Sequence, residues 1–160
     1  MVAFFNPFSG GRMYKRILVP TDGSKLSSKA VKHALQLAKS VGAKMTALHV
    51  CAVYRPMLDD GFAVTPLSAY KKRFEAESIK RSNLLLAAVK SGARAAGVEC
   101  DDVTVISDFP YDAIIKQAKK AKCDLIVMAS HGRRGLQSLL LGSETSKVLT
   151  HSTIPVLVVR

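Results

Sequence analysis

The residues best suited to holding an anion lie between Ala129 and Glu144. Ser130-His131-Gly132-Arg133-Arg134 follows directly on the apolar run Leu125 to Ala129, and Gly142-Ser143-Glu144 opens a segment with helical patterning. Glycine permits close approach to the backbone, and the first N–H groups of a helix carry roughly half a positive charge. Arginine adds charged donors, and a phosphate or carboxylate is the group such a combination suits. Ser130 beside His131 invites a hydrolase reading as well. Residues adjacent on a chain seldom face each other, however, and neither a G-x-S-x-G elbow nor a third orienting group is evident, so nucleophilic catalysis is not expected.

Alternating strands and helices supply the frame. Arg16 to Pro20 is an apolar run of strand length halted by Pro20, and Thr21-Asp22-Gly23-Ser24 is turn-prone, with Ser24 or Asp22 as cap of the next helix. That helix places Leu26, Ala30, Val31, Ala34, Leu35 and Ala38 on one side and stops at Gly42; Lys44 to Cys51 is a second strand. Ala52 to about Ser68, with Pro56, Gly61 and Pro66, reads as a long loop. A helix follows over about Ala69 to Ala96, with Phe74, Ile79, Leu85, Leu86 and Val89 as core candidates and Gly92 weakening its last turn. Asp102 to Ile106 is the third strand, and Tyr111 to Ala121 a helix with Ala113, Ile114, Gln117 and Ala118 at helical spacing. Ile154 to Val159 is the last strand.

The order βαβαβαβαβ predicts one α/β domain: a five-stranded parallel sheet with right-handed crossovers and helices on both faces, Rossmann-like. Ligands of such sheets sit beyond the carboxyl ends of the strands, where the strand order reverses. If strands one to three build outward one way and strands four and five the other, Pro20-Thr21-Asp22-Gly23 meets Ala129-Ser130-His131-Gly132.

Composition narrows the class. The 160 residues are 48% hydrophobic and 22% charged, which describes a globular chain. No apolar run reaches the roughly 20 residues needed to cross a bilayer, so no membrane partner is expected. Residues 1–12, MVAFFNPFSGGR, lack a basic n-region and a sustained apolar core. They read as an extension or tag remnant ahead of a domain over 13–160, and a cytoplasmic location is expected. Cys51, Cys100 and Cys123 are odd in number and widely spaced, which suits reduced thiols, and no recognisable metal-ligand pattern includes them. The net charge of +12 raises the question of nucleic acid. The lysines are spread along predicted helices, so solvated helix faces explain them better than an RNA site does.

The familiar nucleotide motifs are missing: neither G-x-x-x-x-G-K-[ST] nor a G-x-G-x-x-G after the first strand occurs. In their place stand Gly132, nine residues, then Gly142-Ser143, with VPTDGS near the start, LHV closing strand two and IPVLVV at the end. In this combination, from about Tyr14 to Arg160, the sequence resembles the universal stress protein family, whose fold is of the adenine nucleotide hydrolase-like type.

ATP-binding members carry G-x-x-G-x9-G-[ST]. The resemblance implies that Gly132, Gly142 and Ser143 hold the phosphates, with His131, Arg133 and Glu144 beside them. It places Asp22, next to Pro20 and Thr21, against the nucleoside, and gives the backbone of Val50 to adenine. Ala129 stands where the family has its first glycine, and the extra methyl is expected to crowd the phosphate site without abolishing it. Mg2+ would be held largely by the phosphates. No general base for water is evident, so the expected role is nucleotide-dependent stress response or signalling with at most slow ATP hydrolysis. Family likeness and an exposed last strand together imply a homodimer through that strand. Two alternatives stand beside this reading: a nucleotide-free scaffold of the same fold, or a basic RNA-binding module.

Overall fold

The computed structural model describes residues 13–55, 67–132 and 141–160. Its order is β1 Arg16–Pro20, α1 Lys25–Val41, β2 Lys44–Cys51, α2 Leu67–Ala96 and β3 Cys100–Ile106. After these come α3 Pro110–Lys120, β4 Leu125–Ala129, α4 Ser143–His151 and β5 Val156–Val159. The five strands form one parallel sheet in the order β3-β2-β1-β4-β5. The reversal therefore falls between β1 and β4, as the sequence predicts, with Ile17 paired to Leu125 and Leu18 to Ile126.

Alternation along the strands sends side chains to two separate cores. Ile17, Val19, Met45, Ala47, Leu125 and Val127 pack under α1 and α2. Leu18, Leu48, Ile126 and Met128 face the other way, onto Ile114, Ile115 and Ala118 of α3 and Val148 of α4. Because both faces are covered, β4 is buried along its whole length, which is why Leu125 to Ala129 carries no polar residue.

The helix ends follow local chemistry. Ser24, not Asp22, caps α1 by accepting the Ser27 N–H, and Gly42 closes the helix in the left-handed region at φ 67°. Pro110 is the first residue of α3, a position where its missing N–H costs nothing. Pro20 likewise ends β1 from inside, paired with Leu48.

Some core assignments change. In α2 the buried set is Ser82, Leu86, Val89 and Ala93, while Ile79 is 39% exposed and Phe74 and Leu85 are half-buried. Ser82 is tolerated inside because its hydroxyl meets Thr104 Oγ1 at 2.6 Å. α2 runs unbroken through Gly92, where a Cβ would make only an ordinary 3.7 Å contact with Leu35. In α3 the buried set is Ala113, Ile114, Ile115 and Ala118, so Ile115 joins the expected residues and Gln117, half-exposed, leaves them. Residues 1–12 and most of the loop between β2 and α2 lie outside the described residues.

Cys51 and Cys123 are buried and Cys100 is half-buried, all three as free thiols. Burial is the main influence on each and pushes its pKa above the ordinary value near 9. Two measurements check this part of the structure. Leu86→Ala should lower unfolding free energy by about 2–5 kcal/mol and Leu84→Ala, at 67% exposure, by no more than about 0.5 kcal/mol, in urea titrations. Raising the pH should also lower stability. Thiols of the unfolded chain ionise first, so their contribution is intact below about pH 9 and declines above it, less steeply once the three cysteines are replaced by alanine.

Candidate functional site

The loop after β1 is fixed by its own polar side chains. Thr21 is buried; its N–H donates to Leu48 O at 2.8 Å, and its hydroxyl lies 3.1 Å from Ser27 Oγ and accepts the Gly23 N–H at 3.3 Å. Asp22 Oδ1 accepts the Ser24 N–H at 3.0 Å, a short-range turn that Gly23 permits with φ 78°. This turn holds the Asp22 carboxylate over the end of β4. A Cβ at Gly132 would lie 2.9 Å from Asp22 Oδ2, so the two loops meet where the Asp22 carboxylate lies against the Gly132 backbone, and a side chain there would have to displace it.

The second loop is tied to its strand at both ends. Ser130 donates its N–H to Val159 O and accepts the Gly142 N–H on its own carbonyl, each at 2.8 Å. Thr145 Oγ1, buried, donates to Ala129 O at 2.9 Å. These bonds seat the start of α4 on the end of β4. They also bring Gly142 so near that a Cβ there would stand 3.1 Å from Ser130 O and 3.3 Å from His131 Cα. Gly142 supplies no side-chain cap, and the helical ladder begins only with Ser146 N–H to Gly142 O. The N–H groups of Ser143, Glu144 and Thr145 thus precede the ladder, in the arrangement that favours an anion.

Ser130 and His131 do face each other, contrary to the expectation for chain neighbours: Ser130 Oγ lies 3.0 Å from His131 Nδ1. Ser130 is only 2% exposed. A hydroxyl so enclosed orients the imidazole; it is not placed to attack a substrate.

Residues 13–160 match the family model described as "Universal stress protein family". The chain belongs to the universal stress protein family. It is 34% identical over 152 residues to universal stress protein MJ0531 of Methanocaldococcus jannaschii, covering 95% of this chain and 85% of that protein. With YxiE of Bacillus subtilis the identity is 33%, covering 92% of this chain and all of the relative. Among solved structures, that of MJ0577 superposes with a TM-score of 0.77 at 28% identity, over 92% of this chain and 96% of the other. A universal stress protein solved in complex with cAMP superposes with a TM-score of 0.65 at 28% identity, over 92% and 97%.

Within this universal stress protein, packing fixes where the side chains of several expected site residues lie. The methyl of Ala129 is buried in the core with Val19, Val127 and Val159, under α1, so it is not left standing at the end of the strand. Val50 is half-buried, its side chain packed on the α3 face. Leu48 turns its carbonyl to β1, and parallel strands repeat every two residues, so the peptide groups of Val50 point to the same side, just beyond the last β1 pair at Pro20. Glu144 has its carboxylate engaged elsewhere: Oε2 accepts the Tyr111 N–H at 2.9 Å and Oε1 pairs with Lys147 at 2.9 Å. It serves as the missing cap of α3, whose own N-cap residue, Phe109, makes no side-chain bond. What Glu144 offers the loop is its backbone N–H. Arg133 and Arg134 lie outside the described residues.

Glu144→Ala should lower stability by about 1 kcal/mol in urea unfolding through loss of this cap, and Glu144→Gln, which keeps an acceptor oxygen, by less.

Proposed function

We propose that this chain binds an adenine nucleotide in the crevice between the β1 and β4 loops, as ATP with Mg2+ coordinated by the phosphates. The observation that carries the reading is Gly132 backbone held against Asp22 beside an α4 N-terminus that Gly142 leaves without a side-chain cap. Gly142, Ser143 and Glu144 present N–H groups, and Ser143 a hydroxyl, to the phosphates. Asp22 accepts from the ribose, and the Val50 peptide meets the adenine edge. His131, oriented by Ser130, and Arg133 add donors at the phosphates. The complex of the related universal stress protein with cAMP supports the choice of base. The burial of the Ala129 methyl favours this reading over a nucleotide-free scaffold.

Bound Mg2+ would supply charge neutralisation at the phosphates. The side chains of the crevice contribute binding and orientation; Asp22 is already engaged by the Ser24 N–H and turned toward Gly132, so among the described residues no carboxylate at the crevice is positioned as a base toward water. Turnover is accordingly slow, and the role is nucleotide-dependent signalling or protection in a cytoplasmic stress response. The protein acts as a homodimer through β5, which among the described residues pairs with β4 alone and leaves Leu157 42% exposed.

Isothermal titration should give a saturable ATP signal. Gly132→Leu should weaken it at least tenfold, equivalent to about 1.4 kcal/mol, with the far-ultraviolet circular dichroism of the unliganded protein unchanged. Absence of heat and of any thermal shift with ATP, cAMP and AMP would favour the scaffold, and salt-sensitive oligonucleotide binding the RNA module. For the dimer, Leu157→Arg should shift sedimentation equilibrium toward monomer; a monomeric wild-type protein excludes that interface.

A further inference from the structure

The outer face of α2 carries features that the fold does not use. Its core contacts are made by Ser82, Leu86, Val89 and Ala93. Away from those contacts Ala76, Ile79, Lys80, Asn83, Leu84 and Ala87 form a shallow, open and largely apolar strip along the helix. Leu84, 67% exposed, and Ile79, 39% exposed, stand at its edges. Along the middle, Ala76, Lys80, Asn83, Ala87, Lys90 and Arg94 follow alternating steps of four and three residues, the spacing that keeps one seam turned toward a neighbouring helix. Alanines at 76 and 87 allow a second backbone to come close. From 76 to 87 the seam is about 17 Å long, enough for roughly three turns of a partner.

Charge on this face is one-sided. Arg73 is paired with Glu77 and Lys90 with Asp102. Lys72, Lys80 and Arg94, all exposed, have no ion pair among the described residues. A second copy of the chain would bring the same unpaired cations against this face, which opposes pairing of the face with itself. A lipid surface calls for a broad apolar stripe, whereas this one is mainly alanine and asparagine between two large residues.

We propose that the outer face of α2 is the docking site for an acidic amphipathic helix of a partner protein, laid along the Ala76 to Ala87 seam. Leu84 and Ile79 flank its apolar side, and Lys72, Lys80 and Arg94 meet its carboxylates. This surface is separate from the β1 and β4 crevice and stands whether or not a nucleotide binds there.

The test uses the full chain and three labelled synthetic peptides in fluorescence anisotropy. One has leucine at alternating steps of three and four with glutamate on the flanks, one has lysine in place of glutamate, and one is the glutamate peptide scrambled. The patterned glutamate peptide should bind, and the scrambled and lysine peptides at least tenfold more weakly. Leu84→Gln should weaken the patterned peptide about tenfold, and K72E/K80E/R94E should transfer preference to the lysine peptide, with circular dichroism and melting temperature unchanged in both variants. Equal binding of the scrambled peptide would reduce the face to unspecific charge and overturn the proposal. So would failure of every peptide to bind, a monomer shift caused by Leu84→Gln in sedimentation equilibrium, or tighter binding to vesicles containing phosphatidylglycerol that Leu84→Gln abolishes.

Discussion

The register between β1 and β4 is the constraint on which the rest of the structure depends. Only a short ladder joins them, through Ile17 with Leu125 and Leu18 with Ile126, and a polar clamp reinforces its foot. Asp124 accepts the N–H groups of Lys15 at 2.8 Å and Arg16 at 3.0 Å, and returns its own N–H to Arg16 O at 2.9 Å. A slip of one residue would turn every β1 side chain to the opposite face, sending Leu18 from the α3 core into the α1 core. It would also shift the carboxyl ends of the two strands past each other. Asp22 and Gly132, whose contact defines the crevice, would no longer meet.

Rigidity at the crevice comes from small groups at short range. Threonine and serine hydroxyls at Thr21, Ser27 and Thr145 occupy buried positions and are satisfied by neighbouring backbone or hydroxyl groups. Among the described residues no buried side-chain nitrogen or oxygen lacks a hydrogen-bond partner. Such a network holds loops in one arrangement before any ligand arrives, which lowers the ordering cost of binding. The two helices that open near the crevice, α3 and α4, are coupled as well: Glu144 from the first turn of α4 caps α3, and Lys147 lies 5.3 Å over the Tyr111 ring.

Much of the fold was legible because each element obeys a local rule. Ser24 and Gly42 bracket α1, apolar runs of strand length mark β1, β2 and β4, and alternation with helices requires parallel pairing. The errors have local causes. Ile79 has the composition of a core residue but is 39% exposed on α2, and composition does not distinguish the two sides of a helix. The burial of Ser82 has no local signal, because a hydroxyl belongs inside only when Thr104, on a strand distant in sequence, is there to meet it. Proline at 110 begins a helix or breaks a strand according to what lies on either side.

At the crevice, residue types and spacing were sufficient to single out Asp22, Gly132, Gly142 and Ser143 and, through their likeness to a known pattern, the family. Those properties belong to a one-dimensional pattern: glycine where a backbone must approach, a hydroxyl at a helix start, a carboxylate in a turn. What each side chain touches is a different kind of fact. Whether Ala129 points its methyl into the core or out of it depends on the parity of β4 against α1. Whether Glu144 faces the loop or Tyr111 depends on where α3 begins. That Ser130 turns to His131 depends on both being held at the end of a buried strand. The sequence alone determined the elements, their order and the residues that converge; orientation and partnership were decided only when long-range packing brought distant segments into contact, because those contacts have no signature in the local chain.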